Sequence, residues 1–262
     1  MSGIGFELRR LLYPDLPEHQ LVVAGAPVPR VHEPTAAFEP KLALKTLRPP
    51  LPKLIRNGPA DKPRVAVTID DLWTPAQADM LAQVLDAAKA RNLKMTFFPT
   101  GGAIQDHLAA GKQDIWKRVL AEGHEIGNHT YTHSQLPRLS DDQIRFEVNH
   151  TQELLDQALG SSYSYKMRLL RPPGGAGGSG NGDARVLGIL GALGYSMAMW
   201  SIDSAYTSGN ASYAAKIGSQ ARNGSIVLTH FATFAPGNFP PLMDRLRDER
   251  RLEQTTVTGL FS

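Results

Sequence analysis

The 262-residue chain contains no cysteine, and this absence excludes several functional classes. Without thiols there is no disulfide, no thiolate nucleophile and no cysteine-ligated zinc. No apolar run approaches the roughly 20 residues of a membrane-spanning helix, so no membrane span is expected. Lysine and arginine form no dense run with interleaved aromatics, and the net charge is only +3, so nucleic acid is not an expected partner. The length and composition are those of a globular protein that is large enough to bury one sizeable hydrophobic core.

Proline is concentrated in residues 1–63. Proline at this density blocks helix interiors and central strands. We therefore predict a proline-rich N-terminal arm or linker over residues 1–63, with a short docking helix over residues 4–12, and a folded domain over residues 64–262. Arg9-Arg10 are followed by Leu-Leu-Tyr-Pro-Asp rather than by an apolar stretch, so no signal peptide is expected in this segment.

Strand and helix signals alternate from residue 64 onward. Strands are predicted at residues 64–70, 94–99, 124–127, 169–170, 195–200, 225–229 and 254–260. Helices are predicted at residues 75–88, 114–121, 141–155, 183–193, 212–221 and 241–253. Thr74 before Pro75, and Ser140 three residues before Gln143, are typical helix-start signals. Seven strands with helices between them predict a parallel α/β architecture, either a barrel or an open sheet.

Chargeable side chains stand at or just after the carboxyl ends of five predicted strands. In chain order they are Asp70 with Asp71, His129 with His133, Arg171, Asp203 and His230. Each alone has an ordinary explanation, since a terminal aspartate often caps a helix and paired histidines in a turn often lie on the surface. In parallel α/β folds, however, these strand ends meet on one rim, where reactive groups are found. The convergence favours a functional site.

One aspartate and two histidines form a facial ligand set for a divalent metal. Asp71, His129 and His133 suit zinc, manganese, cobalt or iron(II), and three protein ligands leave positions open for water and substrate. Asp70 can act as base towards the attacking water, and His230 can protonate a leaving amine. This combination predicts hydrolysis of an amide.

The same residues lie in runs with a family resemblance. The runs are Thr68-Ile69-Asp70-Asp71, Gly123-His124-Glu125-Ile126-Gly127-Asn128, His129-Thr130-Tyr131-Thr132-His133, Arg171-Pro172-Pro173-Gly174 and Leu228-Thr229-His230. In this order they resemble the motifs of the polysaccharide deacetylases, carbohydrate esterase family 4, over about residues 64–260. The H-x-x-x-H run preceded by G-H-E-I-G-N is the most specific part.

The resemblance implies a deformed (β/α) barrel of about seven parallel strands that removes N-acetyl groups from a glycan: peptidoglycan, a chitin-like polymer or an exopolysaccharide. It implies one divalent metal ion on Asp71, His129 and His133, zinc first and cobalt, manganese, nickel or iron as alternatives. It makes Asp70 the catalytic base and His230 the general acid. Arg171 would orient the base. Family habit favours a periplasmic or extracellular location.

Two positions depart from the family pattern. Gly174 stands where the family usually has an aromatic residue whose backbone N–H helps to stabilise the oxyanion, and a glycine-rich stretch follows to residue 182. The fourth motif matches at Trp200, Ser201 and Asp203, but Tyr206-Thr207 replaces its usual Asp-Trp ending. The acidic partner of His230 is therefore missing, or is supplied by Asp203 or by another acid that the sequence does not identify. We take Gly174, Trp200, Asp203 and Tyr206 as substrate or oxyanion contacts.

Two other functions stay open on the sequence. A related hydrolase could act on a small amide, imide or ureide, with residues 174–182 capping a closed site. A non-catalytic sugar-binding domain could keep the metal. The oligomeric state is also open.

The remaining aromatic and histidine residues are given structural interpretations. Trp73 and Trp116 are interpreted as packing residues, with lining of the substrate groove as the alternative for Trp73, which follows the metal motif. His124 is interpreted as a buried, hydrogen-bonded histidine. His107 and His150 are expected on the surface.

Overall fold

The structure is a computed structural model that describes residues 50–72, 74–161, 163–203, 211–230 and 235–262. Within this range Leu51–Ser262 form one compact unit. The helix predicted over residues 4–12, Trp73, Tyr206 and Thr207 lie outside the described residues.

The described residues form nine strands, and every strand pair is parallel. The strands are β1 (Leu54–Ile55), β2 (Arg64–Asp71), β3 (Thr96–Pro99), β4 (Glu125–Ile126), β5 (Leu169–Leu170), β6 (Ser196–Ala198), β7 (Ile202–Asp203), β8 (Ser225–His230) and β9 (Glu253–Thr255). The helices are α1 (Pro75–Ala90), α2 (Gly101–Ala109), α3 (Asp114–Ala121), α4 (Asp141–Leu159), α5 (Ala184–Ala192), α6 (Ala211–Gln220) and α7 (Phe239–Asp244), and the last continues as a π-helical turn (Arg245–Glu249).

Two sheets build a deformed barrel. One has the order β4-β3-β2-β8-β7, with β9 also pairing with β2, and the other has the order β1-β6-β5. A parallel bridge between Asn128 and Leu170 links β4 to β5, and the Ser201 N–H donates to the Ile226 carbonyl at 3.0 Å. The predicted (β/α) barrel is confirmed, and each of the seven predicted strands has an observed counterpart. The two further strands, β1 and β7, have only two residues each.

The barrel interior changes from apolar to polar along its axis. Strand side chains alternate in direction, so every second residue points inward. Small and large inward residues fill the barrel as one cluster: Ile55, Ala66, Phe98, Leu169, Ala198, Ile226, Val257 and Leu260. On β2 this inward face continues from Ala66 to Thr68 and Asp70. Thr68 is fully buried and Asp70 is almost fully buried. The packed core thus ends in polar groups at the carboxyl ends of the strands.

Local sequence explains where several helices begin. At α4 the Ser140 N–H donates to Gln143 Oε1 at 2.8 Å, and Ser140 Oγ accepts from the Gln143 N–H at 3.3 Å, which is the predicted capping box. Helix α2 was not predicted, because it begins with two glycines. Thr100 Oγ1, which accepts from the Ala103 N–H at 3.1 Å, starts this helix.

The position of helix α2 shows that the predicted exposure of His107 is wrong. His107, expected on the surface, is fully buried, and its ring stacks on Trp116 with centroids 5.3 Å apart. Trp116 is a packing residue, as predicted. His124 is buried, and its Nδ1 accepts a hydrogen bond from the Met95 N–H at 3.0 Å, which confirms that interpretation.

The segment before residue 64 contributes to the described fold. Leu54 and Ile55 form β1 and pair with Met197 and Ala198 of β6. None of the helices in the described part of the chain has the length and apolar character needed to cross a bilayer.

Candidate metal centre and active site

Three predicted ligands meet at one end of the barrel. Asp71 ends β2, and His129 and His133 lie in the loop that follows β4. The Nε2 atoms of both histidines lie 3.3 Å from Oδ1 of Asp71. One ligand atom from each residue can be chosen so that all lie within 4.8 Å of one another. His129 and His133 follow Asp71 by 58 and 62 positions in the sequence, and the pairing of strands β2, β3 and β4 brings the three residues together.

His129 is held in the tautomer that a metal ligand needs. Its Nδ1 lies 2.7 Å from the backbone carbonyl oxygen of Arg171. A carbonyl can only accept, so Nδ1 carries the proton and the lone pair of Nε2 faces Asp71. A hydrogen bond from the second imidazole nitrogen to a backbone carbonyl is the usual support of a metal-bound histidine.

The two ligand loops have an unusual backbone. Positive φ angles in non-glycine residues occur here at Asp71 (75°), Leu72 (61°), Thr130 (65°) and His133 (64°). Only two other non-glycine residues of the described chain have them, Asn92 and Arg251. Such conformations cost about 1–3 kcal/mol each and persist where the surrounding structure fixes them, often at functional sites.

The residues present fit a divalent metal ion. Oδ1 of Asp71 is buried and makes no hydrogen bond with the described residues. Burial raises the pKa of Asp71, but the adjacent His129 and His133 outweigh it and hold that pKa well below its usual range. Ligand atoms at about 2.0–2.2 Å from one tetrahedral ion lie about 3.3–3.6 Å from each other, which matches the 3.3 Å separations. One carboxylate and two imidazoles suit zinc and its neighbours.

Asp70 lies beside this cluster in a buried ion pair. Its Oδ1 accepts from Nη1 of Arg171 at 2.7 Å, and its Oδ2 lies 3.8 Å from Nε2 of His129. Asp70 is 2% exposed and Arg171 is fully buried. The arginine therefore occupies one carboxylate oxygen and leaves the other facing the metal ligands.

Arg171 is fixed on all sides. Its guanidinium also donates to Thr68 Oγ1 (2.5 Å), the Ala198 carbonyl (3.1 Å) and the Met199 carbonyl (3.0 Å), and it lies over the Phe98 ring at 4.2 Å. Burial lowers the pKa of Arg171, while Asp70 raises it. These contacts are those expected of a residue that orients the carboxylate of Asp70.

His230 and Asp203 reach the same rim through the sheet register. His230 on β8 is the Cα partner of Asp70, and Asp203 on β7 is the partner of Leu228, two residues earlier on β8. Paired residues of neighbouring strands, about 4.8 Å apart, point to the same face, and so do residues two apart on one strand. Asp70, His230 and Asp203 therefore share one face; His230 is half-buried and Asp203 exposed.

The glycine-rich segment borders the site. Gly174 is exposed with a φ of +58°, and its N–H donates to no acceptor among the described residues. A Cβ on Gly175 would lie 2.9 Å from the Trp200 ring, and one on Gly178 would overlap Sδ of Met199. The segment thus packs closely on Met199 and Trp200, which connect β6 to β7, and presents a backbone donor at Gly174.

Two residues that support the site were not predicted from the sequence. Arg56, which follows β1, donates through Nη2 to the carbonyls of Gly178 and Gly180. Glu147 on α4 contacts the loop that carries the two histidines. Glu147 stands three residues after Ile144 and four before Thr151, so a carboxylate on the buried face of an amphipathic helix was the available signal.

Comparison with known proteins gives a family and relatives for this chain. A sequence model of the polysaccharide deacetylase family matches residues 57–198, more than half of the chain. A peptidoglycan-N-acetylglucosamine deacetylase of Bacillus cereus is 35% identical over 119 residues, covering 45% of this chain and 39% of that protein. The uncharacterized protein YlxY of Bacillus subtilis is 25% identical over 213 residues, covering 80% of this chain and 60% of that protein. The chain thus spans less than two thirds of either relative.

Solved structures share the fold. The Bc1960 peptidoglycan N-acetylglucosamine deacetylase superposes with a TM-score of 0.65 and 25% identity, over 80% of this chain and 92% of that one. A mutant of BA3943, a CE4 family pseudoenzyme with restored enzymatic activity, superposes with a TM-score of 0.66 and 25% identity, over 79% and 71%. With the family match and the convergence of the motif residues, the chain belongs to the polysaccharide deacetylase family.

Proposed function

We propose that the protein is a metal-dependent hydrolase that removes N-acetyl groups from an acetylated glycan. The observation that carries this proposal is the meeting of Asp71, His129 and His133 beside the buried Asp70–Arg171 pair, in a chain of this family. Peptidoglycan is the first candidate substrate, because relatives named peptidoglycan deacetylases match this chain. A chitin-like oligomer is the next, since a chitooligosaccharide deacetylase also matches. An exopolysaccharide is the third.

Asp71, His129 and His133 would hold one divalent ion, zinc first and cobalt, manganese, nickel or iron as alternatives. When bound, the ion supplies Lewis acidity towards the amide carbonyl and makes water more acidic. All other steps belong to side chains and backbone groups of the chain.

Asp70 acts as the base through Oδ2. Arg171 occupies Oδ1 at 2.7 Å, so the second oxygen, which faces His129, takes the proton of the attacking water. The burial of Arg171 and its further hydrogen bonds keep Asp70 from turning away. Pre-organised charge of this kind needs no rearrangement during the reaction.

His230 and Gly174 complete the proposed reaction. His230, the register partner of Asp70, donates a proton to the leaving amine, so that the sugar leaves as a neutral amine and acetate remains. The N–H of Gly174 donates to the oxygen that becomes negative in the tetrahedral intermediate. Trp200 and Asp203 are assigned to substrate contacts. Tyr206, outside the described residues, is assigned to the same role.

Acetate release from a panel of N-acetylated glycans tests the proposal. The metal-loaded chain is expected to release acetate, a chelator to abolish this release, and Zn²⁺ or Co²⁺ to restore it. Asp70→Asn keeps the shape of the side chain but loses the base, so kcat should fall by about 10²–10⁴-fold while metal content is unchanged. Absence of acetate release from every glycan by metal-loaded protein would refute the proposal.

The same panel separates the alternative functions. Turnover of a small amide, imide or ureide without turnover of glycans would indicate a small-substrate hydrolase. Glycan binding with no turnover, unaffected by Asp70→Asn, would indicate a sugar-binding domain that keeps the metal.

A further inference from the structure

Glu147 is a buried carboxylate at the centre of α4, and the proposed reaction does not use it. Its side chain is fully buried. No lysine, arginine or histidine among the described residues forms an ion pair with it. A carboxylate in such a place needs hydrogen bonds to offset the loss of water.

Three hydrogen bonds from one loop supply this compensation. Oε2 of Glu147 accepts from the Tyr131 N–H at 2.7 Å and from the Thr132 N–H at 2.8 Å. Oε1 accepts from the Thr132 hydroxyl at 2.6 Å. All three distances lie at the short end of the range for protein hydrogen bonds.

The three bonds fall between the two histidine ligands. Only residues 130–132 separate His129 from His133, and Glu147 holds two of these three residues. The flanking Thr130 and His133 have positive φ angles, a conformation that an unsupported loop would leave. The Asn128 side chain holds the other end of the loop, where its Oδ1 accepts from the Thr130 N–H at 2.8 Å.

We propose that Glu147 is a positioning residue of the metal centre, which holds the backbone of residues 131–132 so that both histidine Nε2 atoms face Asp71 at 3.3 Å. This inference rests on the proposed metal-dependent function. Glu147 does not contact the ligand atoms and acts through the backbone between them. A leucine on this buried helix face would pack without burying a polar group, so the carboxyl group here is explained by the loop it fixes rather than by the stability of the helix.

Metal affinity of the 262-residue chain, measured by competition with a chromophoric Zn²⁺ chelator, tests this role. Glu147→Leu removes all three acceptor contacts, and the Kd for Zn²⁺ should rise by about 10–100-fold. Glu147→Gln keeps one oxygen acceptor and should fall between this variant and the unsubstituted protein. In the Co²⁺-loaded protein the visible absorption bands should shift in Glu147→Leu, because the two imidazoles are no longer held in one geometry.

Gln152 provides the matched control on the same helix. It is 5% exposed, and it ties a different loop to α4 by donating to the Tyr165 carbonyl at 2.9 Å and accepting from the Met167 N–H at 3.0 Å. Gln152→Leu should lower the melting temperature of the metal-free protein while leaving the Zn²⁺ Kd within about threefold.

Each outcome decides the proposal. If Glu147→Leu does not fold, the comparison is made with Glu147→Gln. Unchanged Zn²⁺ affinity in the folded Glu147 variant, or an equal loss in Gln152→Leu, would overturn the positioning role. Tight Zn²⁺ binding by the unsubstituted chain without acetate release would refute the proposed activity while leaving the role of Glu147 intact.

Discussion

Replacing Arg171 by methionine should lower the free energy of unfolding by about 3–5 kcal/mol, the usual cost of removing one partner of a buried ion pair. Arg171 is fully buried and Asp70 is 2% exposed, with 2.7 Å between Nη1 and Oδ1. Because Arg171 is fully buried, bulk water does not replace the guanidinium at Oδ1 of Asp70.

Two further contributions, of opposite sign, affect the unfolding free energy of Arg171→Met. The carbonyls of Ala198 and Met199 also lose their donor from Arg171, and a buried acceptor left unsatisfied costs about 1–3 kcal/mol. Methionine, in turn, fills most of the space, keeps contact with Phe98 and ends the desolvation of a guanidinium. Because these contributions are of similar size and opposite sign, the expected loss of unfolding free energy remains about 3–5 kcal/mol.

Urea unfolding of metal-free protein, followed by circular dichroism, measures the loss. A change of this size corresponds to a fall in Tm of about 6–20 °C for a domain of this length. Adding Asp70→Asn to Arg171→Met removes the stranded charge, so the double variant should lose less than the sum of the single variants, by about 1–3 kcal/mol.

Arg185→Met is the control, because Arg185 pairs with Asp141 at the same 2.7 Å but with side chains 40% and 57% exposed. Exposed pairs contribute about 0–1 kcal/mol. A loss in Arg171→Met no larger than that in Arg185→Met, or strict additivity with Asp70→Asn, would show that the pair is not the buried unit described here.

Two further perturbations follow from the packing. Gly178→Ala places a Cβ against the end of the buried Met199 side chain, which must move, and should destabilise the protein by about 1 kcal/mol in urea unfolding. Gly188→Ala, with no atom within 4 Å, should not destabilise it, and equal effects would contradict the close packing of the glycine-rich segment. Burial lowers the pKa of His124 from 6.5 to about 4. Between these two pH values the folded protein keeps the imidazole neutral, whereas the unfolded chain binds a proton. The free energy of unfolding should therefore fall by about 3 kcal/mol as the pH drops from 6.5 to 4. His124→Asn, whose Oδ1 can still accept from the Met95 N–H, should remove this part of the acid sensitivity; an unchanged dependence of unfolding free energy on pH would exclude His124 as its source.

Features that depend on a local pattern in the chain can be predicted from the sequence. The alternation of Val65, Val67 and Ile69 predicts β2, and the Asp-Asp pair at its end is placed by the strand itself. The H-x-x-x-H spacing of His129 and His133 needs only a short loop to bring both rings to one point. These features follow from the chain's own periodicity.

The remaining features depend on contacts that no local pattern encodes. Helix α2 begins at Gly101, where a Cβ would lie 2.8 Å from Thr151 Oγ1, so the glycine is required by packing against α4 rather than by helix propensity. The same unpredicted helix buries His107. Glu147 acts on a loop 15 and 16 residues earlier in the chain, a relation that appears only after α4 is placed.

The two-residue strand β1 has a consequence for the edge of the smaller sheet. The N–H groups of Met197 on β6 and of Met199, just after it, donate to the carbonyls of Lys53 (2.9 Å) and Ile55 (2.7 Å). Without β1 these donors would form an open sheet edge, on which a strand from another molecule could add. A segment too short to show any strand periodicity thus pairs with backbone donors that would otherwise be exposed along β6.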